Sequence, residues 1–135
     1  MNYKHENLTS KRMLNIIEKN KMCLLGVTEE NVPYIIPVYY ECDYRDNTLV
    51  ICIKSKSYGM KMRFMNNNDN VCLYFDNKNN NCIETIVAFG KVYIDKSSKN
   101  KKESNINIVI DKISGRKYTS ETNCFCNRPR LFHYK

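Results

Sequence analysis

Between residues 54 and 61 the sequence reads Lys-Ser-Lys-Ser-Tyr-Gly-Met-Lys. Ammonium groups, hydroxyls and a glycine at this density are the ingredients of an anion site. The run 49–53 before them is apolar and β-branched, as a buried strand is, and Met62 and Met65 after them are spaced for one buried helix face. A strand that delivers such residues to the start of a helix forms a phosphate cradle, because the free N–H groups of the first turn and the helix dipole both favour negative charge. The spacing is neither that of a P-loop nor that of a dinucleotide fingerprint, which needs more glycines. The bland alternative stays open on this stretch alone: Lys54, Lys56 and Lys61 as a solvated face.

The elements around that stretch must hold it in place. Residues 1–7 are polar and read as frayed. With Thr9 or Ser10 as N-cap, Met13, Leu14, Ile16 and Ile17 fall at helical spacing, and Asn20 can end the helix. Residues 22–28 read as a first strand, and Glu29-Glu30-Asn31 as a turn. Residues 32–42 form a second strand interrupted by Pro37, which lacks the ladder donor and so marks an edge or a bulge. Residues 43–47 close a hairpin into the 49–53 strand. Further strands are expected over 71–76 and 83–94, the latter with a bulge or bend at Gly90. Asp and Lys alternate with Ile106, Ile108, Val109, Ile110 and Ile113 in a way that predicts a helix over 106–113 with Gly115 as C-cap. Residues 131–134 look like a last strand that stops abruptly. The sum is a mainly β, α+β chain: a single domain, 1–135, built as an antiparallel barrel of about six strands with peripheral helices.

Composition narrows the function classes. The formal net charge is +8, which favours phosphorylated or polyanionic ligands. No run reaches the length of a membrane span and the N-terminus has no apolar signal region, so a cytoplasmic protein without a membrane partner is expected. Seven cysteines, an odd number without a secretory signal, imply reduced thiols. Cys23, Cys52 and Cys72 fall in strand patterns as small core hydrophobes. Cys124 and Cys126 are the one pair spaced for a metal, but no second pair joins them, and no metal site is assigned.

The order of elements and four stretches together resemble the pyridoxamine 5′-phosphate oxidase-like, FMN-binding split-barrel superfamily, nearest its nitroimidazole-resistance-like branch. The stretches are Leu24-Leu25-Gly26-Val27, Val32-Pro33-Tyr34-Ile35-Ile36-Pro37-Val38, Lys54-Ser55 with Gly59-Met60-Lys61, and Ile86-Val87-Ala88-Phe89-Gly90-Lys91. The resemblance implies a homodimer with FMN at the subunit interface. It implies polar contacts to the ribityl phosphate from Lys54 and Ser55, and a basic contact from Lys61. Pro37, Val38 and Tyr39 match the strand whose backbone lines the isoalloxazine, and Thr85 stands where oxidase members carry a glutamine that reaches the partner's flavin. True pyridoxamine phosphate oxidases resemble one another in having arginine where this chain has Ile36, Ser-Arg where it has Gly59-Met60, and another arginine near Val87. The nitroimidazole-resistance branch often has histidine at the place of Lys54. The resemblance is therefore to the superfamily and not to a true pyridoxamine 5′-phosphate oxidase.

The leading expectation is a small-molecule oxidoreductase that uses FMN, with NADH or NADPH as candidate electron donor. No catalytic acid or base stands out; Glu41, Glu84 and Tyr39 are candidates for which a structural or solvated role weighs more. A flavin carrier without turnover is the first alternative. A basic barrel binding single-stranded nucleic acid through Tyr and Lys is the second, disfavoured because Tyr34, Tyr39, Tyr40 and Tyr74 sit in core and interface patterns.

Overall fold

The computed structural model describes residues 3–95 and 102–120. Helix α1, Ser10–Lys19, begins where Thr9 Oγ1 accepts the Arg12 N–H at 3.1 Å, and Asn20 ends it. Its Met13, Ile16 and Ile17 are buried, the i, i+3, i+4 stripe of an amphipathic helix. The strands are β1 (Tyr3–Asn7), β2 (Met22–Glu29), β3 (Val32–Tyr39), β4 (Glu41–Arg45), β5 (Thr48–Lys56), β6 (Asn70–Lys78), β7 (Cys82–Asp95) and β8 (Glu103–Ser120). They form one antiparallel sheet in the order β3-β2-β6-β7-β8-β5-β4, with β1 added to β8. The second helix, α2, is Met60–Asn67.

Among the described residues eight strands stand where about six were expected of the chain, for three separable reasons. Residues 3–7 are not frayed, because β8 runs long enough to offer them a ladder from Asn7↔Arg116 to Tyr3↔Ser120. Residues 106–113 are strand and not helix. Ile106 and Ile108 are fully buried while Asn105 is exposed, a period of two that suits β-branched residues between two partner strands. Gly115 is accordingly no helix cap. A Cβ there would lie 2.8 Å from Met13 Sδ and 2.9 Å from Leu8 Cδ1, so its bareness lets α1 seat on the sheet. Finally, the expected strand over 32–42 is two strands that part at Tyr40.

That parting makes the barrel open. Strands β3 and β4 are the two ends of the sheet path, and Tyr40 alone joins them in the chain. Tyr40 is buried, donates its hydroxyl to the Ile17 carbonyl at 2.5 Å, gives its N–H to Lys21 O at 3.0 Å, and meets Phe75 edge-on at 5.3 Å between centroids. The corner is thus pinned to the end of α1, and the sheet curls around a core that includes Leu25, Ile51, Leu73, Phe75 and Ile86. Pro33 and Pro37 lie on the edge strand β3, whose pairing with β2 runs without a register shift; of edge and bulge, the edge is what Pro37 marks. A bulge does occur in β7 between Phe89 and Gly90, where a Cβ on Gly90 would come within 2.4 Å of Val109 O. The 131–134 strand expectation and Cys124 and Cys126 lie outside the described residues.

Candidate functional site

Register decides which side chains share a face. Ile51, Ile53 and Ser55 of β5 point into the barrel, so Cys52, Lys54 and Lys56 point out. On the outer side Pro37 pairs with Leu24, Leu24 with Tyr74, and Tyr74 with Val87; beside that row Ile35 pairs with Gly26, Gly26 with Cys72, and Cys72 with Phe89. Leu24, Ile35, Tyr74, Val87 and Phe89 thereby line an apolar groove of about 660 Å³ on the outside of the sheet. Ile35 is 65% exposed and Phe89 48%, a cost in water that a lone chain carries unrelieved. The next row is mixed, with Asp76 paired to Thr85 and Thr85 to Arg116, and exposed Tyr39 paired to exposed Met22.

Of the residues that the sequence singled out, Pro37, Tyr39 and Thr85 share the outer face, but none of them lines the groove, and β2 and β6 separate Pro37 and Tyr39 on β3 from Thr85 on β7. Lys54 is on the same face but on β5, farther round the barrel. There it lines a second cleft, of about 420 Å³, with Tyr39, Glu41, Cys52, Asn105 and Asn107, at the split where β3 gives way to β4. Val38 and Ser55 point inward. Val38 is buried in the core, so only its backbone is available to a ligand on the outer face, and the Ser55 hydroxyl is spent on the Lys56 carbonyl at 3.1 Å.

Lys61 stands in the first turn of α2. The turn before it is tied down by Ser57, whose N–H donates to Lys102 O at 2.9 Å and whose hydroxyl shares a hydrogen bond with Ser104 at 2.8 Å. Gly59, at φ 112°, is the N-cap; it supplies no side-chain hydrogen bond and has open space around its Cβ position. The first-turn N–H groups of α2 are thus uncapped by any side chain. Half-burial lowers the Lys61 pKa, since burial disfavours the ammonium, and no carboxylate among the described residues pairs with it. A desolvated cation beside uncapped helix amides suits a phosphate. The helix itself is held on β2 and β3: Met62, Phe64 and Met65 are buried, Phe64 packs on Tyr34, and Glu29 accepts from Arg63 at 3.2 Å and Asn67 at 2.6 Å.

Glu84 is held in a structural ion pair. Arg12 donates to both of its carboxylate oxygens at 2.7 Å and Asn77 donates to one at 2.9 Å; the Arg12 hydrogen bonds hold its pKa below the ordinary carboxylate value, against the opposing effect of burial. It braces α1 to β6 and β7. Cys23 is a buried thiol pushed up to about 12 by desolvation, as its core role requires, whereas Cys52 and Cys72 lie half-buried on the outer face. The five cysteines described are free. Among the described residues no group of His, Cys, Asp and Glu could hold a metal, and no helix is long and apolar enough to cross a membrane. Sequence reasoning missed Asn105, Asn107 and Arg116: Asn107 fell within the segment read as helix, Asn105 just before it and Arg116 just after its expected cap. The alternation of Asn105, Ile106, Asn107 and Ile108 was the available signal.

No protein-family model and no curated protein matches this sequence. Solved structures do. A FAD-binding protein of Mesorhizobium loti superposes with a TM-score of 0.73 at 17% identity, over 84% of this chain and 97% of that one. A candidate 5-nitroimidazole antibiotic resistance protein of Bacteroides thetaiotaomicron gives 0.73 at 19%, over 87% and 90%. A candidate pyridoxamine 5′-phosphate oxidase of Corynebacterium glutamicum gives 0.68 at 18%, over 87% and 100%. At these identities the likeness is one of fold, and the fold is the split barrel that the sequence led us to expect.

Proposed function

From a chain with that split-barrel fold, we propose that the protein binds a flavin, FMN at the least, on the outer face of its sheet and works as a dimeric, flavin-dependent oxidoreductase on a small molecule. The observation that carries this is the exposed apolar groove on the outer face of the sheet, with Pro37, Tyr39 and Thr85 on that same face beside it. The residues fit the group chemically. A flat, largely apolar ring needs an apolar wall with a few polar groups at its rim, and the groove with Thr85, Asp76 and Arg116 alongside offers that. A phosphate needs a cation and free N–H donors, as Lys61 and the start of α2 offer. Bound flavin supplies hydride and single-electron transfer. The chain binds and orients it: Pro37, Val38 and Tyr39 through their backbone beside the ring, Thr85 as a hydroxyl at its rim, and Lys61 on its phosphate.

A second copy of the chain is the natural cover for the groove. Self-association about a two-fold axis would bury Leu24, Ile35 and Phe89 of both copies, remove the apolar exposure and exclude water from the ring. Such a dimer takes the flavin at the interface.

The test is a visible-light spectrum of the purified protein after reconstitution with FMN and removal of free flavin. An oxidised-flavin band that stays with the protein, and bleaches with NADH or NADPH, is the expected result. Retention without bleaching by any reductant would favour the carrier reading. Failure to retain flavin would refute the proposal.

A further inference from the structure

We propose that the second cleft, at the split of the barrel, is an adenine-nucleotide site in which Asn105 and Asn107 read the base, Tyr39 stacks on it and Lys54 takes the adjoining phosphate. Asn105 and Asn107 are alternate residues of β8, so their carboxamides leave the same face about 7 Å apart. Across the ladder Asn105 faces Lys54, and Asn107 faces Cys52. Tyr39 arrives from β3 on the other side of the split and is 73% exposed.

The choice of ligand follows from what these groups recognise. A carboxamide offers a donor and an acceptor side by side, the pattern that pairs with N6 and N7 of adenine. An exposed phenol supplies a stacking platform for a base. The volume of about 420 Å³ suits a nucleoside. Lys54 is exposed and has no ion pair among the described residues, so it supplies one point charge for one phosphate. Glu41 and Asp95 share the cleft wall; they can accept from ribose hydroxyls and oppose the extra charge of a free triphosphate. An AMP unit linked onward through its phosphate therefore fits better than ATP.

Such a unit has two sources here, the outer half of FAD or the adenosine half of a nicotinamide donor. Assigning it to either rests on the proposed function; the chemistry of the cleft does not. The primary probe is AMP itself, titrated into the whole protein and followed by amide chemical shifts. We expect saturable binding, weakened about ten-fold in Asn107→Leu and in Tyr39→Ala, and weaker binding of ATP than of AMP. Asn105→Asp, which adds charge but little change in shape, gives a second route should Asn107→Leu fail to fold. Two further arms separate the sources. If the unit belongs to the cofactor, FAD binds at least ten-fold tighter than FMN and Asn107→Leu erases the difference. If it belongs to the donor, FAD and FMN bind alike and Asn107→Leu weakens NADH binding to the FMN-loaded protein. AMP binding that responds to these substitutions in a protein that takes no flavin would sustain the cleft and remove the flavin reading. Absence of saturable AMP binding, or AMP binding indifferent to Asn107→Leu, Tyr39→Ala and Asn105→Asp, would overturn the proposal.

Discussion

Replacing Arg12 by methionine probes how α1 is fastened to the barrel. The guanidinium makes two hydrogen bonds of 2.7 Å to Glu84, whose side chain is 5% exposed, so its removal strands a carboxylate inside the fold. Breaking a fully buried pair costs about 3–5 kcal/mol. Here Arg12 is 36% exposed and Asn77 keeps one hydrogen bond to the carboxylate, which lowers the expectation to about 2–3 kcal/mol. For a chain of this size that is a fall in Tm of roughly 6–15 °C, readable by circular dichroism. The pH dependence carries the sharper sign. The Glu84 pKa is depressed in the folded state, so its contribution is fully present above the ordinary carboxylate value and fades as pH falls through the folded one. In Arg12→Met the carboxyl, now held mainly by burial, protonates at higher pH and ceases to be a buried charge. The gap between wild type and variant should therefore narrow on acidification from pH 7 to about pH 3. A gap of the same size at both ends would show that Arg12 acts through packing alone.

Tyr40→Phe should cost about 1–2 kcal/mol, because the Ile17 carbonyl loses its buried donor at the corner; urea unfolding that matches wild type would remove that hydrogen bond from the account. Gly90→Ala must push backbone at the bulge, since the new methyl would sit 2.4 Å from Val109 O, and a loss of about 1–3 kcal/mol is expected; an unchanged denaturation midpoint would contradict the close approach. Phe89→Asp places a charge on the wall of the exposed groove and should convert a sedimenting dimer to monomer without lowering monomer stability by more than about 0.5 kcal/mol. A wild type that sediments as a monomer at micromolar concentration would end the interface model.

Legibility in the sequence followed how local the cause was. The cap at Thr9 and the stripe Met13, Ile16, Ile17 are fixed within one helix, and α1 could be read almost to the residue. The turns at Glu30-Asn31 and Asp46-Asn47 take positive φ, which the types of Asn31, Asp46 and Asn47 announce and that of Glu30 does not. Gly90, a glycine inside a strand pattern, announced a bulge or bend, and the bulge is what the ladder shows. Residues 103–120 were harder, because acidic and basic residues interleaved with isoleucine satisfy a helical template loosely while the tertiary setting, two partner strands, enforces the period of two. Strand β1 could not be seen from residues 3–7 themselves, whose only reason to be extended is the ladder that β8 presents. For the site, the stretch 54–61 showed its charge and its strand-to-helix turn. It did not show that Lys54 and Ser55 diverge to opposite faces, which the pleat dictates once the strand runs on to Lys56. Nor could it show the apolar groove, which is assembled from residues of four strands distant in sequence.

The central claim is that a flavin phosphate rests on Lys61 at the start of α2. Titrating wild type and Lys61→Ala with FMN and with riboflavin, by flavin fluorescence at one fixed salt concentration, tests it directly. A charge-assisted contact to phosphate is worth about 1.5–3 kcal/mol, so FMN affinity should fall roughly 10- to 150-fold in the variant. Riboflavin, which lacks the phosphate, should bind the two proteins alike. Equal FMN affinity for both proteins, or an equal loss for FMN and riboflavin, would contradict the account.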